Sequence, residues 1–248
     1  MYDFKYKEET LCKDLEECIL QTQWGPMIKH HFINTDYRSE PHKKDKENGK
    51  MNEILRIRKA RQREFLLKND FESAAWSIEK PWRISWLNEN KELIVRKVGL
   101  SKYYQIISDV FTCFDNTPLN KHEILELIYF GGNPLLMMNE VELIEFEKLP
   151  ERIKVWRGVI GNTSISDVDL LGCSWTLDYE QALWFTDRRR GFDDDEYPLI
   201  YGLTIKKDEV LSYFSRCNES EILIDFTKID LEEVEFIYDN ELNKPVSI

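Results

Sequence analysis

The segment Glu219-Ser220-Glu221-Ile222-Leu223-Ile224 joins two carboxylates to a run of branched apolar residues. Such a run predicts a buried strand, where a charged side chain is costly unless it has a task. Residues two apart on a strand point to the same face. We therefore expect Glu219 and Glu221 to project together, roughly 7 Å apart along the chain, with Ser220 facing the other way.

Two further polar signatures precede this segment on predicted strands. Arg157-Gly158 ends the run Ile153-Lys154-Val155-Trp156, and Ser174-Trp175-Thr176 follows. The planar guanidinium of an arginine can donate two hydrogen bonds to phosphate oxygens and keeps its charge. Ser174 and Thr176 share a strand face, with Trp175 opposite. An arginine, a hydroxyl pair and a carboxylate pair on three strands can together hold and cleave a dinucleotide.

The ordered set of signatures resembles the arginine–serine–glutamate class of ADP-ribosyltransferases, which have a Glu-x-Glu motif and use NAD as co-substrate. The resemblance covers roughly residues 150–230. Between the signatures, the family order implies a helix start at Asp178, a strand at 197–205 and a short helix at 207–214. One departure is Trp175, since the family more often has a smaller residue after the serine.

The resemblance implies a role for each site residue. Glu221 would bind the 2′-hydroxyl of the nicotinamide ribose, Ser174 would orient Glu221, and Glu219 would act as general base. The implied contacts to NAD are Arg157, Gly158, Trp175, Thr176 and Phe185, with Arg157 on a phosphate. Tyr213 and Phe214 are the candidates for acceptor recognition. No metal is implied.

The implied fold is α+β, with a split antiparallel β-sandwich core of the ADP-ribosyltransferase type behind a helical N-terminal region. We expect residues 1–95 to be mostly helical, with a mobile loop near 36–50. Residues 96–248 would form the catalytic domain, in which a helical lobe (96–150) precedes the NAD-binding β core (151–248). Periodicity and capping residues predict helices at 7–21, 51–69, 101–114, 120–129 and 139–148.

Composition limits the class of protein. The 248 residues are 42% hydrophobic, which is typical of a globular chain with a substantial core. Five scattered cysteines and four histidines outside the signatures argue against disulfides and zinc. The charged start of the chain and the lack of a long apolar run predict a cytoplasmic protein without membrane contact. No Gly-x-Gly-x-x-Gly follows a predicted strand, which argues against a doubly wound NAD site.

Charge is unevenly distributed along the chain. From Asn139 onward there are 25 acidic and 12 basic residues, against 21 and 22 in residues 1–138. Basic residues crowd the predicted helix 51–69, namely Arg56, Arg58, Lys59, Arg61, Arg63 and Lys68. This helix could follow a phosphate backbone, or it could be a solvated face that pairs with the acidic catalytic half. The acidic run 193–196 lacks a calcium-loop pattern and predicts an exposed loop.

Three function classes remain open. The first is a mono-ADP-ribosyltransferase that modifies protein arginine or a nucleic-acid base, as would suit a bacterial toxin held by an antitoxin or inhibitor protein, or an antiphage or phage effector. The second is an NAD glycohydrolase, and the third is an inactive binding domain. The intact set of Arg157, Ser174 and Glu221 weighs against the third. The carboxylate pair favours a guanidinium acceptor, whereas the basic helix favours nucleic acid.

Overall fold

The computed structural model describes residues 6–113, 120–161, 171–187, 197–216 and 219–238. The chain forms two compact units, residues 1–98 and 99–248. Each unit combines helices with an antiparallel sheet, so the predicted α+β class is confirmed. None of the helices in the described ranges combines the length and apolar character needed to cross a bilayer. The acidic run 193–196 lies outside the described residues.

The first unit is built on a three-stranded antiparallel sheet in the order β1-β2-β3. Its elements are α1 (Lys13–Glu16), β1 (Ile19–Thr22), β2 (Gly25–His30), β3 (Ile33–Asp36), α2 (Lys46–Leu67), α3 (Phe71–Trp76) and the first part of α4 (Arg83–Phe111). Its core buries Leu15, Ile28, Phe32, Tyr37 and Leu55. Gly99, at φ 82°, interrupts α4 where the second unit begins.

The prediction of a mostly helical N-terminal region is wrong for residues 6–36. Only the four residues of α1 are helical within the predicted helix 7–21, and β1 follows at once. The β1–β2 turn uses Gly25 at φ 115°, and the Thr22 hydroxyl donates to the Gly25 carbonyl at 2.7 Å. This tight turn favours a hairpin over a helix.

The predicted loop at 36–50 is also shorter than expected. Helix α2 begins at Lys46, because the Asp45 side chain accepts a hydrogen bond from the Asn48 amide at 2.9 Å and caps the helix. The buried Asn48 side chain then donates to the carbonyls of Glu40 and Lys43, at 2.8 Å each. The last five residues of the predicted loop therefore belong to a helix.

The second unit contains the rest of α4 and a six-stranded antiparallel sheet in the order β7-β8-β5-β4-β6-β9. Its helices are α5 (Lys121–Phe130), α6 (Glu140–Glu147) and α7 (Tyr179–Asp187). Its strands are β4 (Arg152–Gly161), β5 (Ser174–Thr176), β6 (Tyr197–Lys206), β7 (Val210–Phe214), β8 (Glu221–Ile224) and β9 (Glu235–Tyr238). Helices predicted at 51–69, 101–114, 120–129 and 139–148 are confirmed, although their ends differ.

The six strands fall into two three-stranded parts. Strands β4 and β6 pair along their full ten residues, whereas β4 and β5 share the single pair Trp156↔Thr176. The parts β7-β8-β5 and β4-β6-β9 therefore join through one residue pair. Alternate residues of β4, Ile153, Val155 and Val159, are buried in the core of this sheet.

The predicted short helix at 207–214 is wrong beyond its first turn. Lys207–Glu209 form a 3₁₀ turn, and Val210–Phe214 then form strand β7 beside β8. All five residues of β7 are buried. A run buried throughout suits a strand that is covered on both faces, and it carries no periodicity that separates strand from helix.

Candidate active site

The sheet order brings the three polar signatures onto neighbouring strands. Strand β5 lies between β4 and β8, so that Trp156 pairs with Thr176, and Thr176 pairs with Glu221. Arg157 is 17 residues before Ser174, and Ser174 is 47 residues before Glu221. Sequence-distant groups therefore converge at the join between the two parts of the sheet.

Ser174 and Glu221 are hydrogen bonded across β5 and β8. The Ser174 hydroxyl donates to Oε1 of Glu221 in a short contact. Ser174 and Thr176 point to the face that carries Glu221, and Trp175 points to the opposite face, as the alternation of a strand predicts. The hydroxyl thereby fixes the orientation of the carboxylate.

Arg157 holds the serine strand from the other side. Its guanidinium is buried, with 7% of the residue exposed, and Nη1 donates to the Ser174 carbonyl at 2.5 Å. The guanidinium lies against Gly172, where an added Cβ would come within 2.7 Å of Nη2. Glycine at 172 therefore leaves the room that the arginine occupies. The positive charge of Arg157 also lowers the pKa of Glu221.

The Glu221 carboxyl titrates far from its ordinary range. Burial raises its pKa to about 7, because a charged carboxylate is poorly solvated at this position. The Ser174 hydrogen bond and the charges of Arg157 and Arg216 act in the opposite direction, while the Glu219 charge raises the pKa further. A buried carboxyl with a perturbed pKa beside a fixed hydroxyl and an arginine is a candidate catalytic group.

Glu219 lies near Glu221 for a different reason from the one predicted. Strand β8 begins at Glu221, and Ser220 before it has φ 43°, in the left-handed region. Glu219 is therefore placed by the irregular backbone before β8 rather than by strand alternation. The Thr176 hydroxyl donates to the Glu219 carbonyl at 2.8 Å, and the Leu177 amide donates to the Ser220 carbonyl at 3.1 Å. These two bonds fasten residues 219–220 to the end of β5.

Gly158 of β4 packs against helix α7, which follows the serine strand β5. A Cβ at Gly158 would lie 1.8 Å from the Ala182 carbonyl oxygen, so only glycine lets α7 approach β4 this closely. Ala182 is fully buried at this contact. Phe185, one turn further along α7, is half-buried and meets the Trp184 ring at 5.2 Å between centroids. Gly158 thus allows α7 to pack directly against β4, the strand that carries Arg157.

Three aromatic residues predicted as ligand contacts are core residues instead. Trp175 is 1% exposed and donates from Nε1 to the Gly172 carbonyl at 2.9 Å. Tyr213 belongs to the same core, and Phe214 is fully buried with its ring centroid 6.1 Å from that of Phe111. Both Tyr213 and Phe214 lie on strand β7, which is buried throughout, rather than on the predicted short helix.

Arg216 is a residue that sequence reasoning missed. It follows β7 and forms ion pairs with Glu142 of α6 and Asp109 of α4. The only local signal was the capping pattern Asn139–Glu142, which predicts the start of α6 and says nothing of a distant partner. Pairs separated by 74 and 107 residues have no sequence signature.

The chain matches no protein-family model, no curated protein and no solved structure. Within the described ranges, no group of three or more His, Cys, Asp or Glu side chains could hold a metal ion.

Proposed function

We propose that this protein is a mono-ADP-ribosyltransferase that moves ADP-ribose from NAD to a macromolecular acceptor. The observation that carries the proposal is the hydrogen bond from Ser174 to Glu221, with Arg157 bound to the carbonyl of the same serine. The joining of two three-stranded parts through one residue pair agrees with a split antiparallel core. A role as a toxin controlled by an antitoxin, or as a phage effector, belongs to the proposal through the family resemblance alone.

In the proposed reaction the glycosidic bond between nicotinamide and ribose breaks, and nicotinamide leaves with the bonding electrons. Positive charge then grows on the ribose, as in glycoside hydrolysis. Ionised Glu221 stabilises that charge and accepts a hydrogen bond from the ribose 2′-hydroxyl, while Ser174 keeps its carboxylate in place. Arg157 holds the serine strand and supplies the positive charge expected for a phosphate of NAD.

We assign to Glu219 the role of general base toward the acceptor. A nitrogen nucleophile must lose a proton as it bonds to the ribose carbon, and a carboxylate beside Glu221 can take that proton. This pairing supports a guanidinium acceptor, although an exocyclic amine of a nucleic-acid base has the same need. When water is the acceptor, the outcome is NAD hydrolysis.

The basic helix gives little support to nucleic-acid docking. Four of its six basic residues form ion pairs with acids of the same unit: Arg56 with Glu9 and Glu53, Arg58 with Glu79, Lys59 with Asp14, and Lys68 with Glu64. The acids that neutralise this helix thus include residues of the N-terminal unit itself. We therefore favour protein arginine over nucleic acid as the acceptor.

The proposed function is tested by the pH dependence of nicotinamide release from NAD by the purified protein. Because Glu221 must be ionised and its pKa is about 7, kcat/KM should fall by about tenfold per pH unit below a midpoint near 7. Replacing Ser174 with alanine should move the midpoint upward, since its hydrogen bond lowers the pKa of Glu221. Absence of nicotinamide release, or a flat profile between pH 5 and 8, would contradict the proposal.

A second prediction separates the two carboxylates. Glu219→Ala should reduce transfer of ADP-ribose to the guanidine probe agmatine by about 100-fold, since a general base contributes that much or more. Nicotinamide release into water should fall by less than about tenfold, because Glu221 and Ser174 remain. Labelled NAD and mass analysis of the products measure both rates in one reaction.

The result also distinguishes the alternatives. Equal loss of both activities would mean that Glu219 serves NAD itself and that the division of roles is wrong. Wild-type protein that releases nicotinamide but labels neither agmatine nor protein would be an NAD glycohydrolase, and labelling confined to added RNA or DNA would assign a nucleic-acid base as acceptor.

A further inference from the structure

Arg216 lies between the end of β7 at Phe214 and the segment 219–220 that carries Glu219. Its Nε and Nη2 donate to the two oxygens of Glu142 at 2.9 and 2.8 Å, and Nη1 donates to Oδ1 of Asp109 at 2.9 Å. Nη2 also donates to the Met137 carbonyl at 3.3 Å, and the guanidinium lies 5.1 Å from the centroid of the Phe214 ring. A two-pronged bond to one carboxylate fixes an arginine in both position and orientation.

The main partner of Arg216 is itself rigidly held. Glu142 has a side chain that is 1% exposed, and it accepts a hydrogen bond from the Asn139 amide at 2.9 Å in the capping box of α6. The Ser215 backbone also bonds to this carboxylate. Burial alone would raise the pKa of Glu142, but the hydrogen bonds of Arg216 and Asn139 lower it, so the carboxylate stays ionised.

Residues 219–220, just before β8, are also held by hydrogen bonds. There the Thr176 hydroxyl holds the Glu219 carbonyl, and the Leu177 amide holds the Ser220 carbonyl. Arg216 therefore anchors residues 215–216 to the helices, and Thr176 and Leu177 anchor residues 219–220 to β5. Residues 217 and 218 lie outside the described residues. Glu219 lies within the second anchored part, next to the strained Ser220.

We propose that Arg216 is a positioning residue: clamped by Glu142 and Asp109, it keeps the Glu219 carboxylate beside Glu221. The catalytic consequence rests on the proposed function, in which Glu219 is the base for the acceptor. The placement of Glu219 is a property of the fold and can be measured without catalysis.

The titration of Glu221 reports where Glu219 lies. Among the described residues, the charged groups that act on Glu221 are Glu219 from the segment before β8, Arg157 from β4 and Arg216, which follows β7. Moving Glu219 away lowers the pKa of Glu221, whereas removing the Arg216 charge raises it. Arg216→Lys keeps the charge and loses the two-pronged bond, so it isolates the effect of position.

The experiment is an NMR titration of the Glu221 side-chain carboxyl in four full-length proteins: wild type, Arg216→Lys, Glu219→Gln and the double variant. We expect each single variant to lower the titration midpoint, and we expect Arg216→Lys to cause no further shift once Glu219 is glutamine. The pH midpoint of nicotinamide release should move in parallel. An unchanged midpoint in Arg216→Lys, or an equal shift in the Glu219→Gln background, would overturn the proposal.

Two further variants serve as a control and as a substitute for Arg216→Lys. Lys207→Gln is the matched control, because Lys207 also ties a strand end to α6, through the carbonyls of Glu147 and Leu149 at 2.6 and 3.0 Å, but lies outside the stretch that carries Glu219. Its loss should leave the Glu221 midpoint unchanged. If Arg216→Lys does not fold, Asp109→Asn loosens Arg216 without uncovering Glu142, and it should shift the midpoint in the same direction.

The experiments distinguish failure of the proposed function from failure of the positioning role of Arg216. Wild-type protein that releases no nicotinamide contradicts the proposed function, while the NMR titration still decides the role of Arg216. Normal nicotinamide release with no shift in Arg216→Lys leaves the proposed function standing and removes Arg216 as a positioning residue.

Discussion

Glu221→Gln is expected to reduce nicotinamide release from NAD by at least about 100-fold at pH 8, the loss typical of removing one preorganised group that stabilises developing charge. Glutamine keeps the volume of the side chain and can still bond to the Ser174 hydroxyl. It lacks the negative charge that offsets the positive charge growing on the ribose. Nicotinamide quantified by chromatography under saturating and limiting NAD measures the effect on kcat and on kcat/KM.

Asp225→Asn is the matched control for this loss. Asp225 is also a buried carboxylate, 8% exposed against 9% for Glu221, and it directly follows the same strand. Its partners include Tyr129, whose hydroxyl donates to it at 2.7 Å, Thr227, and Lys228, whose Nζ lies 3.4 Å from Oδ2. The folded Asp225→Asn protein should release nicotinamide within a fewfold of wild type. Near-normal release by Glu221→Gln would show that this carboxylate is not catalytic.

The same Glu221→Gln substitution should stabilise the protein at alkaline pH. The folded-state pKa of about 7 lies above the ordinary value of 4.5, so the unfolded chain ionises Glu221 more readily. Stability linked to this group is complete below pH 4.5 and is lost as pH rises through 7. At 1.36 kcal/mol per pH unit, the cost at pH 8 is about 3 kcal/mol. Glutamine has no such cost.

Urea denaturation of wild type and variant at pH 5 and pH 8 checks this expectation. The variant should exceed wild type by about 3 kcal/mol in free energy of unfolding at pH 8, and the difference should shrink to about 1 kcal/mol at pH 5. Asp225→Asn should behave in the opposite way. Although burial alone would raise the pKa of Asp225, hydrogen bonds from Thr227 and Tyr129 lower it, so its ionised form stabilises the fold. A gain that is equal at both pH values would mean that Glu221 titrates near its ordinary pKa.

Loss of nicotinamide release together with a gain in stability at pH 8 would show that Glu221 is a functional group that lowers the stability of the fold. A buried carboxylate that only supported the fold would have its pKa lowered by its partners, as Asp225 and Glu142 do. Glu221 instead has a raised pKa despite its bond to Ser174 and its two nearby arginines. A functional group that lowers the stability of the fold is characteristic of active sites.

Much of the helical framework was predictable, because helix signals are local. The Asn139–Glu142 capping box and the following apolar residues are enough to begin α6, and the long polar helix α2 was recognised through most of its length. The hairpin of β1 and β2 was missed, since its strands are only four and six residues long and their burial does not alternate strictly. Strand β7 was mistaken for a helix because all five of its residues are buried.

The amino-acid sequence determined which residues could form a site, since Arg157, Ser174 and Glu221 each interrupt or border an apolar run that strand formation buries. Alternation along β5, a local property of the backbone, also determined that Ser174 faces the site and that Trp175 faces the core. Strand order, register and distant ion pairs were decided by the tertiary structure alone. The bond from Ser174 to Glu221 spans 47 residues, and that from Arg216 to Asp109 spans 107. Such contacts depend on how separate elements pack, and the burial that raises the pKa of Glu221 arises only when they do.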